Sequence, residues 1–281
     1  MASNNIVLVH GLWMTPLSFE CWAHRYGERG YRVHVPGWPG MDHDIRRLRR
    51  SPESFASLGI RQIVDHYEQV VLGLGEPPIL VGHGLGGLVV QALLDRGLGS
   101  CGVAVASAPI RGIWTVPYTK MRAVTPQLLT GRCVQLTPAQ FHQAFMNTAS
   151  RDEAYRAYER HVVPGPGRVL LQAGLANFNP FAASSINVRR NSRAPLLLVA
   201  ASEDRLSPPS MVKANVRAYR DSLATTEYRE FAGRAHFVIA QSGWQEVADH
   251  ALDWVRDQEL LQQREARRIV RELHARQVAV A

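Results

Sequence analysis

The feature that most constrains this chain is the stretch Ile79-Leu80-Val81-Gly82-His83-Gly84-Leu85-Gly86-Gly87. A short apolar run, the length of one strand, breaks into glycines at every second position and leads into the helix-patterned residues 85–96. Such spacing permits one sharp strand-to-helix turn and lets the helix lie close on the strand it leaves. Three further runs, at 6–10, 103–107 and 196–200, are apolar at nearly every position. Strands of that kind belong to a parallel sheet covered on both faces. Adding 31–35 and the alternating 226–231 gives an expected sheet of about six mostly parallel strands. Residues 55–73, 85–96, 211–223 and 244–262 carry apolar side chains at helical spacing and are read as the flanking helices.

The glycine turn has the layout of a nucleophile elbow, G-x-S-x-G, with Gly84 at the apex where a serine would stand. The apolar run at 196–200 opens into Ser202-Glu203-Asp204, and the strand at 226–231 is followed by His236. Upstream, the first strand ends in His10-Gly11-Leu12-Trp13. The order nucleophile position, acid, histidine resembles the α/β-hydrolases, over about residues 5–255, and within them the esterase, lipase and hydroxynitrile-lyase branch. That branch commonly pairs a His-Gly-x-Trp turn with a second tryptophan, here Trp13 and Trp22. The resemblance implies an α/β-hydrolase fold with Asp204 as the acid and His236 as the base. It gives the oxyanion donors as the backbone N–H groups of Leu12 and Leu85, the latter at a helix N-terminus. The nucleophile does not carry over, because position 84 is glycine.

Residues 1–109 and 191–255 are expected to form the core. The stretch 110–190, too long for a simple crossover, resembles the helical cap that many α/β-hydrolases insert over the site. Its apolar residues include Trp114, Tyr118, Met121, Leu128, Phe141, Phe145, Met146, Tyr155, Tyr158, Phe178 and Phe181. Trp114, Phe141, Phe145 and Phe178 are expected at the substrate pocket with Trp13, His83 and Phe237. Pro164-Gly165-Pro166-Gly167 reads as a break between cap helices and a candidate hinge. Residues 256–281 read as a C-terminal amphipathic helix that could dock on the body or pair with a second subunit.

Several residues invite other readings. His83 is expected to pack rather than react, and His10 to make a structural hydrogen bond. Glu203 is the poorer partner for His236 because the family pattern places the acid second of the two. Asp42-His43-Asp44 has metal-ligand chemistry, but contiguous ligands point different ways on most backbones, so no metal is expected. Cys21 as a substitute nucleophile has no supporting motif. No nucleotide fingerprint appears, so no cofactor is expected.

Composition limits the partners. The 281 residues carry a net charge of +8, but lysine occurs only at 120 and 213. The arginine groups at 46, 47, 49 and 50 and at 264, 267, 268, 271 and 276 lack interleaved aromatics, and a solvated basic face is expected instead of nucleic-acid binding. No apolar run reaches the roughly 18 residues of a membrane span. Three dispersed cysteines and an N-terminus without a secretory pattern suggest a reducing cytoplasm. The expected partner is a small, partly apolar substrate.

Gly84 leaves three readings of function. The first, which everything except one side chain supports, is an esterase-type enzyme for a small carboxylic ester, lactone or related acyl substrate, its serine lost or replaced. The second is a lyase, cyclase or cofactor-free oxygenase in which a His236–Asp204 dyad acts as general base. The third is a ligand-binding protein without chemistry, against which the retention of both dyad residues counts.

Overall fold

The computed structural model describes residues 3–41, 44–114 and 133–280, with side chains through Glu272. Tyr118, Met121 and Leu128 lie outside the described residues, as do Asp42 and His43. The sheet is built from β1 (Asn5–Val9), β2 (Arg32–His34), β3 (Ile79–His83), β4 (Cys101–Val105), β7 (Leu196–Ala201) and β8 (Thr226–Phe231). These six strands run parallel in the order β2-β1-β3-β4-β7-β8. Ile6 pairs with Ile79, Ile79 with Cys101, and Leu196 with both Gly102 and Thr226.

Alternation along the buried strands divides the core into two layers, because successive side chains point to opposite faces. Ile6, Leu8, Ile79, Val81, Val103, Leu197 and Val199 face one layer. Covering them are α1 (Glu20–Gly27), through Trp22 and Tyr26, and the start of α10 (Trp244–Val280), through Val247, Ala251 and Val255. Val7, Val9, Leu80, Ala104, Leu196 and Leu198 face the other. There α4 (Ile60–Leu72), α5 (Leu85–Asp95) and α9 (Pro209–Ala218) pack. Residues 85–94 of α5 are all buried, as its continuous apolar run requires. The edge strand β8 instead exposes Glu227 and Arg229, charges that discourage pairing with another sheet edge.

Three details differ from the sequence reading. The helix expected over 55–73 is two pieces, α3 (Glu53–Ala56) and α4, because Gly59 is extended at φ −117° and ψ 166° and caps the second. The C-terminal helix expected from 256 is the continuation of α10, one helix from 244 onward, since neither glycine nor proline interrupts it beyond Trp244. From Leu260 to Glu272 its side chains leave the body and stand largely in solvent. Arg49, expected on a solvated basic face, lies on α2 (Ile45–Arg50) and donates to the carbonyls of Tyr158, Glu159 and Val162. It braces α2 against the insert.

Between β4 and β7 the described insert contains α6 (Pro138–Phe145), α7 (Arg151–His161) and α8 (Gly167–Gly174). Gly165–Pro166 forms β6, paired antiparallel with β5 (Cys133–Val134). The Pro164–Gly167 break is a buried, paired segment set against Leu12 and Trp13. No helix among the described residues is long and apolar enough to cross a membrane.

Candidate active site

The loops after β1, β3, β4, β7 and β8 meet at the carboxyl ends of the parallel strands, the edge at which open α/β sheets hold their ligands. Gly84 joins β3 directly to α5 with φ 56° and ψ −117°, a conformation unfavourable for a residue with a Cβ. Its neighbours are glycine for a different reason. A Cβ on Gly82 would collide with the carbonyl of Gly86, and one on Gly86 with that of Val9. At Gly84 there is space: a Cβ built there meets His236 Nε2 at 3.4 Å, an ordinary contact.

His236 and Asp204 are 32 residues apart in sequence and joined in space. Nδ1 of His236 lies 2.8 Å from Asp204 Oδ2. The other carboxylate oxygen, Oδ1, accepts the N–H groups of Leu206 and Ser207, each at 2.8 Å. Asp204 is thus fixed by its own loop and presents one oxygen to the ring, which favours the tautomer with the proton on Nδ1. Glu203 next to it is exposed and accepts from Ser202 Oγ. Nε2 of His236 has no hydrogen-bond partner among the described residues and faces the space beside Gly84.

The histidine is held from three sides. His83 Nε2 donates to the His236 carbonyl at 2.8 Å. Burial, and secondarily the neighbouring His236, lower the pKa of His83 to about 3, so its ring is neutral. The N–H of Phe237 donates to the Phe145 carbonyl at 2.8 Å, and the Phe145 ring meets His236 edge-on with centroids 4.9 Å apart. His10 turns away from these groups. It makes its hydrogen bond through Nδ1 to the Gly11 carbonyl at 3.1 Å and stacks on Trp38.

The turn after β1 is tied to the insert. Trp13, at φ 65°, donates from Nε1 to the Val134 carbonyl at 2.9 Å and accepts the Val163 N–H on its own carbonyl. Leu12 and Leu85 both line the cavity, and neither backbone N–H has an acceptor among the described residues. Leu85 opens α5, where the helix leaves its first amides unpaired and partly positive.

The cavity enclosed by these groups measures about 170 Å³. Trp13, His83, Gly84 and Phe145 line it beside His236. Phe141 and Phe237 do not. They are buried beneath it, Phe141 stacked on Phe145 at 5.1 Å and Phe237 against His161 at 5.4 Å. Trp114 and Phe178 also lie outside, on an adjoining groove. Phe141 is buried on α6 and Phe237 in the turn after His236, whereas Trp114 and Phe178 are exposed; an aromatic residue type does not say which of these surroundings the fold gives it.

The remaining walls among the described residues are Gly11, Ala108, Pro109, Val169, Leu170, Ala173, Leu206 and Ser207. Ala108-Pro109 follows a strand end, a signal that was legible. The α8 residues had none, because their place depends on how the insert folds back. Cys21 is exposed on α1 and does not line the cavity. Asp44 caps α2, accepting from the N–H groups of Arg46 and Arg47.

The fold places the chain among known structures. It superposes on a monoacylglycerol lipase from Paleococcus ferrophilus with a TM-score of 0.66 at 21% identity, covering 92% of this chain and 96% of that one. A thermophilic esterase from Thermogutta terrifontis gives 0.63 at 14% identity, over 92% and 91% of the two chains. Tomato Methylketone Synthase I gives 0.63 at 15% identity, over 92% and 99%. No curated protein matches the sequence. A sequence profile described as "Alpha/beta hydrolase family" matches residues 6–250, and with the strand order and the turns above it establishes that the chain belongs to the alpha/beta hydrolase family.

Proposed function

We propose that this chain is an enzyme of esterase or lipase type, for a small, partly apolar carboxylic ester, lactone or related acyl substrate, with Gly84 at the position of the nucleophilic serine. The observation that carries the reading is the 3.4 Å between a Cβ built at Gly84 and His236 Nε2. A hydroxyl on that Cβ would stand within reach of Nε2. His236 would take its proton, Asp204 would steady the resulting imidazolium, and the amides of Leu12 and Leu85 would receive charge from the substrate carbonyl. The insert serves as a cap that excludes water. The cavity has an almost wholly apolar lining with Ser207 as its added hydroxyl, which suits a neutral acyl group. A lipase and an esterase among similar folds point the same way.

A second reading is favoured by the unpartnered Nε2. With Gly84 in place, His236 can act as a general base on a substrate C–H or O–H, or on water beside Gly84, without a covalent intermediate.

The test compares the chain with its Gly84→Ser variant on aryl esters of short and medium acyl length. Turnover is expected in the variant alone. In a serine protease the nucleophile's removal costs on the order of a millionfold in kcat, so the gain should be several orders of magnitude. Two silent proteins would reject the acyl-transfer reading. Activity of the parent on carbon-acid substrates, lost in His236→Ala, would then support the second.

A further inference from the structure

We propose that Ser207 is a specificity-determining residue, whose hydroxyl binds a further, neutral oxygen of the substrate, so that the cavity selects hydroxylated acyl groups over plain ones. The inference rests on the acyl-site reading above and narrows its substrate class to esters or lactones of hydroxy acids. In that reading the ester group is already served: the amides of Leu12 and Leu85 face its carbonyl oxygen, and Nε2 of His236 exchanges the proton. The Ser207 hydroxyl is left over.

Its surroundings give it no other use. Ser207 is 3% exposed and lines the cavity. Among the described residues its hydrogen bond is made by the backbone N–H, to Asp204 Oδ1 at 2.8 Å, and Oγ makes none. Oγ is nevertheless not sealed away, as the orphaned Oγ of Ser184 is. A buried hydroxyl without a partner is costly, and one that opens on a cavity is matched by a group arriving through it. A single neutral hydroxyl does not offset the desolvation of a charge, so the partner is a neutral oxygen.

The hydroxyl is also held in place. The bond to Asp204 fixes one side of Ser207, and Pro208 and Pro209 follow on the other. A residue before proline is confined to extended conformations, and its side chain then has three staggered positions. A plain alkyl limb packed against this group strips it of solvent and returns no hydrogen bond; a limb carrying an oxygen there restores the bond.

The test uses the full chain with Gly84→Ser, and methyl butyrate beside its 2-hydroxy and 3-hydroxy analogues, with acid release followed by titration. Ser207→Ala in that background should lower kcat/KM for at least one hydroxy ester about tenfold or more relative to methyl butyrate. The ratio between esters is the informative quantity, because damage to Asp204 or to the fold lowers both together. Ser207→Ala removes one oxygen and keeps the N–H on Asp204, so it should fold. Ser207→Thr, which keeps the hydroxyl, should keep the parent ratio within about threefold and provides a second, independent variant.

If Gly84→Ser turns over the esters and Ser207→Ala leaves their ratio within about twofold, or moves it toward the hydroxy esters, the assignment of Ser207 is overturned and the acyl site stands. If Gly84→Ser turns over neither these nor aryl esters, the acyl-site reading fails and takes the Ser207 assignment with it.

Discussion

Two adjacent carboxylates, Glu203 and Asp204, show how much a single backbone position decides. Asp204 is buried, with Oδ1 on two amides and Oδ2 on His236, while Glu203 stands in solvent. In a Gly84→Ser background, Asp204→Asn should lower kcat on aryl esters by about 10³–10⁴, the scale of losing the tautomer-fixing acid of a serine triad. Glu203→Gln should change kcat less than about twofold, since exposed charges contribute little. Steady-state kinetics of the two variants, side by side, checks this. Equal losses would mean that His236 is not oriented by Asp204. The choice of Asp204 over Glu203 was readable from the family pattern, but its cause, one loop in which only the second carboxylate turns inward, was not.

The decisive element is the unit β3–Gly84–α5. Its outer glycines are required by contact, its apex only by backbone angle. Gly86→Ala drives a methyl into the Val9 carbonyl and should cost about 3 kcal/mol or more, or prevent folding, as overpacking in a rigid core does. Gly84→Ala adds a methyl that meets nothing closer than 3.4 Å, and should cost only the backbone strain of a disfavoured positive φ, about 1–3 kcal/mol. Urea denaturation of both proteins measures the difference. Comparable costs would show that space, not angle, demands glycine at the apex. Sequence spacing located this element to the residue, because glycine at alternate positions after an apolar strand has few uses. It did less well on the pocket walls. Trp114, Phe141, Phe178 and Phe237 all read as pocket residues, yet none lines the cavity.

Across the whole molecule, buried histidines couple folding to pH. Burial holds His10 and His161 at about 4 and His83 at about 3, against an ordinary 6.5. Between these values the unfolded chain binds more protons than the folded one, so stability rises with pH. The contribution is complete above about pH 6.5 and is lost as pH falls toward 4, at up to about 1.4 kcal/mol per pH unit for each histidine. Urea midpoints measured from pH 7 to 4.5 should fall steadily, and His161→Phe should flatten the slope. A level profile from pH 7 to 5 would contradict neutral burial of these rings.

The sequence by itself determined the sheet and its logic. Continuous apolar runs of strand length, bounded by glycine-containing turns, fit strands covered on both faces, and the order of glycine turn, Asp204 and His236 assigned each to a strand end. These are local properties, written in residue type and spacing. The tertiary structure alone decided which side chains share a cavity. The 2.8 Å contact of His236 with Asp204, the His83 donor behind His236 and the α8 wall all depend on loops and insert closing over one edge of the sheet. That closure joins residues more than a hundred positions apart, as with Trp13 and Val134. Contacts of that range depend on chain topology and packing, which local residue patterns do not encode.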